Sequence, residues 1–124
     1  MQKLILLGVA GALGALSRYG LAGLVQRNVP GEFPWGTLAV NALGCFVAGA
    51  FWTFAEERIA ISGETRAIVI AGFLGAFTTF SAYMLETSHL MRDAQWLQAA
   101  GNVALENGVC IVMMFAGLAL GRIL

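Results

Sequence analysis

Charged side chains are scarce in this sequence. Asp, Glu, Lys and Arg make up 11% of its 124 residues, against about 25% in soluble proteins. Seven basic residues balance seven acidic ones, so the composition gives no indication of nucleic-acid binding or of a polybasic membrane anchor. Because 59% of the residues are hydrophobic and the chain is short, it could not bury its apolar surface as a soluble monomer.

Cysteine and histidine are also rare, which limits the chemistry available to the chain. Cys45 and Cys110 are the two cysteines, and each lies in an apolar run. We therefore expect buried thiols rather than a disulfide framework. His89 is the single histidine, whereas a metal site needs three or four donors. With no nucleophile–base pair in the sequence either, we expect no enzymatic activity.

Long apolar runs dominate the chain, and four of them reach the length of about 20 residues that a helix needs to cross a bilayer. These runs cover residues 4–26, 35–55, 67–91 and 97–121. The connectors between them are short and polar, and tryptophans lie at the run ends, where aromatic belts form. We expect an all-α, multi-pass membrane protein with four transmembrane helices in one domain spanning 1–124.

The positive charges give a weak signal for orientation. One side of the membrane holds the N-terminus, the second connector and the C-terminus, with Lys3, Arg58, Arg66 and Arg122. The other side holds Arg27 and Arg92, and Arg18 lies nearer that side. Such a small excess does not fix one orientation, so insertion both ways, and hence an antiparallel dimer, is permitted. The N-terminus also resembles a signal peptide, which we expect to be retained.

Two polar side chains lie inside the first two runs. Arg18 either pairs structurally or provides a charge in a functional vestibule. Asn41 shares one face of the second run with Thr37, Gly44 and Ala48. An amide in the membrane either joins two helices by a hydrogen bond or donates N–H to a passing solute. The sequence leaves both pairs of alternatives open.

The third run contains GFLGAFTTFSAYMLE, which combines helix-weakening glycines with hydroxyls, aromatic rings and a carboxylate. Glycine and threonine are poor residues for a helix interior, so we expect a break near 75–79. Backbone freed in the membrane must be buried in protein or line a cavity, and interrupted helices indicate ion sites. Beyond the break, one helical arc of about 120° holds Thr79, Phe80, Tyr83, Glu86 and Thr87.

The fourth run carries a second polar face. Asn102, Glu106 and Cys110 share one side of the predicted helix, with Asn107 off that face. Glu86 and Glu106 are thus two carboxyl groups within the membrane. Ionisable groups at such positions are functional candidates.

The segments GTLAVNALGCFVAG and GFLGAFTTFSAYMLE resemble the two signature segments of the Fluc (CrcB) family of fluoride channels, and GALGALSRY in the first run also resembles that family. The likeness covers all four runs. It implies passive, fluoride-specific export across the cell inner membrane, which protects the cell from fluoride toxicity. It also implies a dual-topology antiparallel homodimer with two fluoride pathways and a structural sodium ion at its centre.

The resemblance carries roles over to particular residues. It implies that Asn41 is the pore amide, Phe80 the first aromatic ring of the pathway, and Arg18 the basic residue of the vestibule. Backbone carbonyls of Gly75 and Thr78 would hold the sodium ion. The remaining pathway positions are Thr37, Thr79, Ser81, Tyr83 and Glu86. The sequence departs from the family at Tyr83, where a second phenylalanine is usual, and in the charged Glu106–Asn107 pair.

The residue chemistry suits fluoride, which is small and holds water tightly. A selective path must replace that water with donors, and amide N–H groups, hydroxyls and aromatic ring edges can do so. Two other functions remain open. A proton-coupled small multidrug transporter would need a carboxylate in the first helix, where this chain has Arg18. A non-transporting assembly factor would use its polar residues for helix pairing, and anion efflux from liposomes separates all three.

Overall fold

The computed structural model of the chain describes residues 1–57 and 61–124, and Arg58 of the charge comparison lies outside them. Across these described ranges the regular structure is helical, without strands, which confirms the expected all-α class. The helices are α1 (Gln2–Asn28), α2 (Trp35–Glu57), α3 (Gly63–Ala67), α4 (Gly75–Phe77), α5 (Phe80–Arg92) and α6 (Trp96–Ile123). A wider π-helical turn, Ile68–Leu74, joins α3 to α4.

Within the described residues, four helical segments are long enough and apolar enough to cross a membrane. They are Gln2–Asn28, Trp35–Glu57, Gly63–Arg92 and Trp96–Ile123. We call them the first to fourth spans, and the third contains α3, the π-helical turn, α4 and α5. This arrangement is that of a multi-pass membrane protein.

The second and fourth spans pack closely through glycines. A Cβ added to Gly117 would lie 2.0 Å from the Phe46 carbonyl oxygen, and one added to Gly49 would lie 2.5 Å from that of Met114. Such contacts allow the two backbones to touch, which drives helix association where lipid provides no hydrophobic force. The pair α2–α6 therefore forms a fixed frame for the side chains that point toward the third span.

The first span packs against the N-terminal half of the third span. A Cβ on Gly14 would lie 2.2 Å from the Phe73 carbonyl oxygen, so the π-helical turn lies directly on α1. Near the same contact the Arg18 Nε donates to the Ala76 carbonyl at 3.1 Å. A positively charged group thus satisfies a backbone acceptor in α4, immediately before the helix ends.

The third span is interrupted at two residues. Thr78 has ψ 157°, and Thr79 has φ −149° and ψ 114°, so both are extended. The break is shorter than the expected 75–79, because Gly75–Phe77 keeps helical geometry as α4. The widening at Ile68–Leu74 has no signature in the sequence. It is a local change of helical winding of the kind that often lies near functional sites.

Candidate functional site

Asn41 of α2 lies against the break and pairs with its backbone. Its Oδ1 accepts a hydrogen bond from the Thr79 N–H at 2.8 Å, and its Nδ2 donates to the Thr79 carbonyl at 3.0 Å. The side-chain amide therefore replaces the helical partners that Thr79 lacks. An extended residue in a membrane span needs such a substitute, since lipid cannot satisfy backbone groups.

Two hydrogen bonds at the break leave two backbone carbonyls without their usual helical donors. In a continuous helix the Gly75 carbonyl would accept from the N–H of Thr79, which instead donates to Asn41. The Thr78 carbonyl would likewise accept from Ala82, but that N–H donates to the Thr79 Oγ1 at 3.2 Å. Thr79 thus caps α5 in the manner of an N-cap residue. The two carbonyls that lack these donors belong to Gly75 and Thr78, the residues expected to hold sodium.

A cavity of about 610 Å³ lies between the first, second and third spans on one side of the break. We call it the vestibule cavity, and the predicted site residues that line it are Arg18, Thr37, Thr79 and Glu86. The Thr37 hydroxyl donates to Glu86 Oε1 at 2.6 Å. Glu86 Oε2 is buried and has no hydrogen-bond partner within the described part of the chain. This carboxyl is therefore tied to α2 by one oxygen and leaves the other oxygen unused.

A second cavity, of about 420 Å³, lies on the other side of the break between the second, third and fourth spans. We call it the inner cavity, and its predicted site residues are Asn41, Thr78, Thr79, Phe80 and Tyr83. Thr79 lines both cavities. Among the lining residues that the structure describes, none is Lys, Arg or His. The two cavities therefore share Thr79 at the broken backbone, and the described lining of the inner cavity has no basic side chain.

The two aromatic rings of the site lie side by side. Phe80 and Tyr83 have centroids 5.4 Å apart and planes inclined at 78°, so the edge of one ring meets the face of the other. Phe80 is 71% exposed in the single chain, whereas Tyr83 is buried and its hydroxyl accepts from Asn107 Nδ2 at 3.2 Å. Ser81 lies apart from these rings. It is exposed, lines neither cavity, and its hydroxyl is 3.4 Å from that of Thr79.

The site also contains residues absent from the predicted set. Glu106, Asn107 and two thiols line the inner cavity, and the thiols belong to Cys45 and Cys110. Glu106 Oε2 accepts from Asn41 Nδ2 at 3.1 Å and lies 3.8 Å from the Cys110 sulfur. A four-residue spacing places Cys45 above Asn41 and Cys110 above Glu106 on their helices. This spacing is the sequence signal that could have grouped each thiol with its polar neighbour. It does not tell that these faces of α2 and α6 meet.

The contact with Glu106 also determines what the Asn41 amide is free to do. The two Nδ2 hydrogens already have acceptors, the Thr79 carbonyl and Glu106 Oε2. Both alternatives for Asn41 thus have a basis in the geometry, because the amide joins three spans and also lines a cavity. A solute entering that cavity would receive an N–H from Asn41 by replacing one of these acceptors.

These features indicate the class of protein to which the chain belongs. A multi-pass membrane protein whose broken helix separates two polar cavities has the layout of membrane transport proteins, in which interrupted helices form the ion and substrate sites. A profile of the family described as "CrcB-like protein, Camphor Resistance (CrcB)" matches residues 5–118. The chain belongs to the CrcB family.

Full-length relatives support this assignment. A protein of Nitrosococcus oceani named "Fluoride-specific ion channel FluC" is 50% identical over 123 residues, which are 99% of this chain and 98% of that protein. Proteins of the same name from Desulforapulum autotrophicum and Nitratidesulfovibrio vulgaris are 49% and 48% identical, each over 99% of this chain and over 98% and 99% of their own lengths. The chain is thus similar to these channels along its whole length.

Proposed function

We propose that this chain is a fluoride-specific ion channel that lets fluoride leave the cell passively and so limits fluoride toxicity. The observation that carries the proposal is the position of Thr79, which lines both the vestibule cavity and the inner cavity and whose extended backbone is hydrogen-bonded to Asn41. Passive flow needs polar contacts of moderate strength, and polar side chains are present among the lining residues of both cavities. The name shared by relatives about half identical to this chain supplies the ion.

In the proposed route, fluoride passes from one hydrogen-bond donor to the next. Arg18 attracts the anion into the vestibule cavity, where Thr79 and the nearby Ser81 provide hydroxyls. Thr37 donates its O–H to Glu86 and can donate to the anion only by releasing that carboxyl. Beyond the break the donors are the Asn41 amide and the edges of the rings of Phe80 and Tyr83. Aromatic edges carry partial positive charge. A route without a fixed cation in its inner part binds fluoride weakly enough to release it.

A structural sodium ion is the second part of the proposal. Sodium is a hard cation that binds oxygen ligands, and the carbonyls of Gly75 and Thr78 have lost their usual helical donors to Asn41 and Thr79. Two carbonyls are too few for a complete shell around a metal ion. The same two carbonyls of a second copy would double the ligand number, which ties the sodium proposal to the dimer.

The proposed assembly is an antiparallel homodimer in the inner membrane, each subunit being one domain of four spans. Phe80 is 71% exposed and Ser81 is also exposed, although both begin α5 next to the break in the third span. A second copy across the broken helices would cover these side chains and enclose each pathway. The near balance of positive charge permits the two copies to insert in opposite orientations.

Growth in fluoride tests the proposed function in cells. A bacterial strain that lacks its own fluoride export is transformed with the full chain and grown over a series of fluoride concentrations. We expect the chain to restore growth, and Asn41→Asp, at equal membrane abundance, to fail to do so. Resistance to cationic drugs instead of fluoride would favour the multidrug transporter, and no change with either would favour the assembly factor.

A further inference from the structure

Glu106, one of the two candidate membrane carboxyls, lines the inner cavity but has no role assigned by the family resemblance. It is 4% exposed and lies near the middle of the fourth span. Its Oε2 accepts from Asn41 Nδ2 at 3.1 Å, but its Oε1 is buried without a hydrogen-bond partner among the described residues. A buried oxygen without a hydrogen-bond partner is unfavourable. Such an atom beside a cavity is explained best by a ligand or a proton that uses it.

Among the described residues that line the inner cavity with Glu106, none is a cation that could balance an ionised carboxylate. The titratable groups that face it are Cys45 from α2, Tyr83 and Glu86 from α5, and Cys110 from its own helix. Within the described part of the chain, the cavity that it lines has no Lys, Arg or His. When ionised, Glu106 therefore puts an uncompensated negative charge directly beside Asn41, where fluoride has to pass.

The protonated form has the opposite effect on an anion. A protonated carboxyl has one O–H donor and keeps an acceptor oxygen. With Oε2 accepting from Asn41, the proton belongs on Oε1, the atom that has no partner. Oε1 has no hydrogen-bond partner among the described residues, so an anion that reached Glu106 in the cavity would be an acceptor for this O–H. Fluoride is a strong acceptor of this kind of charge-assisted hydrogen bond.

We infer that Glu106 is a fluoride-binding residue of the pathway, which donates an O–H hydrogen bond when protonated and blocks fluoride when ionised. This inference rests on the proposed channel function and adds a residue and a proton dependence to it. Proton uptake and release involve only the carboxyl O–H bond, and no other bond changes. Flux through the channel therefore falls as pH rises, because the protonated fraction of Glu106 falls.

The test compares Glu106 with its amide counterpart. Glutamine keeps the shape and an acceptor oxygen for Asn41, and it has a permanent N–H donor. Full-length wild type and Glu106→Gln are reconstituted in vesicles, and fluoride efflux is measured with an electrode at equal internal and external pH from about 6 to about 9. Protein-free vesicles give the background from hydrogen fluoride crossing the lipid, which is subtracted at each pH.

We expect wild-type flux to fall about tenfold or more from the lowest to the highest pH, since the protonated fraction of a single carboxyl that is mostly ionised falls about tenfold for each pH unit. Glu106→Gln should vary by less than about twofold and should exceed wild type at the highest pH. Glu86→Gln is the matched control for the second membrane carboxyl, and it should keep the wild-type pH dependence whatever its absolute flux. If Glu106→Gln fails to assemble, Glu106→Ser replaces it, since a hydroxyl is also a neutral donor.

The possible results distinguish a role of Glu106 from a role of Glu86 and from failure of the proposed channel function. A wild-type profile that is flat, or one that Glu106→Gln or Glu106→Ser leaves unchanged, overturns the role of Glu106 and leaves the channel function standing. Loss of the pH dependence in Glu86→Gln assigns it to Glu86 and overturns the inference as well. A wild type that carries no fluoride at any pH overturns the proposed function, and this inference with it.

Discussion

At the residue scale, one side-chain amide serves several partners at the break in the third span. Asn41 contacts the Thr79 N–H, the Thr79 carbonyl and Glu106 Oε2 with hydrogen bonds of 2.8–3.1 Å. It is 8% exposed, so these hydrogen bonds are largely shielded from water. Removing the amide would leave buried backbone groups unsatisfied, which costs about 1–3 kcal/mol for each group.

Asn41→Asp is therefore predicted to abolish most fluoride flux. The aspartate has no N–H to donate to Thr79, to Glu106 or to fluoride, and a carboxylate there repels the anion. Fluoride efflux from vesicles measures the loss, after size-exclusion chromatography has shown that the variant assembles like the parent. Parental flux in a correctly assembled Asn41→Asp protein would mean that Asn41 serves helix pairing and lies outside the pathway.

The two rings are predicted to respond differently to substitution. Phe80→Ile removes a ring edge and should nearly abolish flux, because an aliphatic side chain presents no partial positive charge to fluoride. Tyr83→Phe keeps its ring and loses the hydrogen bond from Asn107, which has the Val103 carbonyl as a second acceptor. Tyr83→Phe should hence retain flux, at a stability cost of about 1 kcal/mol. Efflux and thermal unfolding of both variants check this, and parental flux through Phe80→Ile would exclude the Phe80 ring from the pathway.

At the element scale, the decisive feature is the third span. Its apolar length and its glycine–threonine centre predicted a transmembrane helix with a break, and the structure has both. Sequence could not give the limits of the break, since these depend on hydrogen bonds from Asn41, which is distant in the chain. The Glu106–Asn41 contact and the π-helical turn were equally hidden. Helical periodicity defines the faces of one helix, but it does not tell which faces of different helices meet.

The broken span is also predicted to make stability depend on sodium. If the carbonyls of Gly75 and Thr78 bind the ion, replacing sodium by a bulky organic cation should lower the thermal midpoint of the wild type. A bound ligand stabilises by about 2.7 kcal/mol at a hundredfold excess over its dissociation constant. Thr78→Ser keeps the backbone carbonyl and the hydroxyl that donates to the Leu74 carbonyl, so it should keep the dependence. The same midpoint with either cation would argue against a sodium site.

At the scale of the whole molecule, the single chain leaves its polar break incompletely enclosed. The exposed Phe80 and Ser81 indicate a surface that a second copy could cover. Dual topology predicts that both termini of the chain are found on both sides of the membrane. Tags at each end, labelled in intact and in opened cells, measure this, and labelling from one side alone in every molecule would contradict the antiparallel dimer.

Selective fluoride efflux is the most direct test of the account as a whole. Purified full-length protein is reconstituted into vesicles loaded with equal concentrations of fluoride and chloride, and each anion is followed with its own electrode after a potassium ionophore relieves the membrane potential. We predict rapid fluoride efflux that needs no proton gradient and stops in Phe80→Ile, with chloride retained as in protein-free vesicles. Equal efflux of both anions, or none of either from correctly assembled protein, would contradict a fluoride-specific channel.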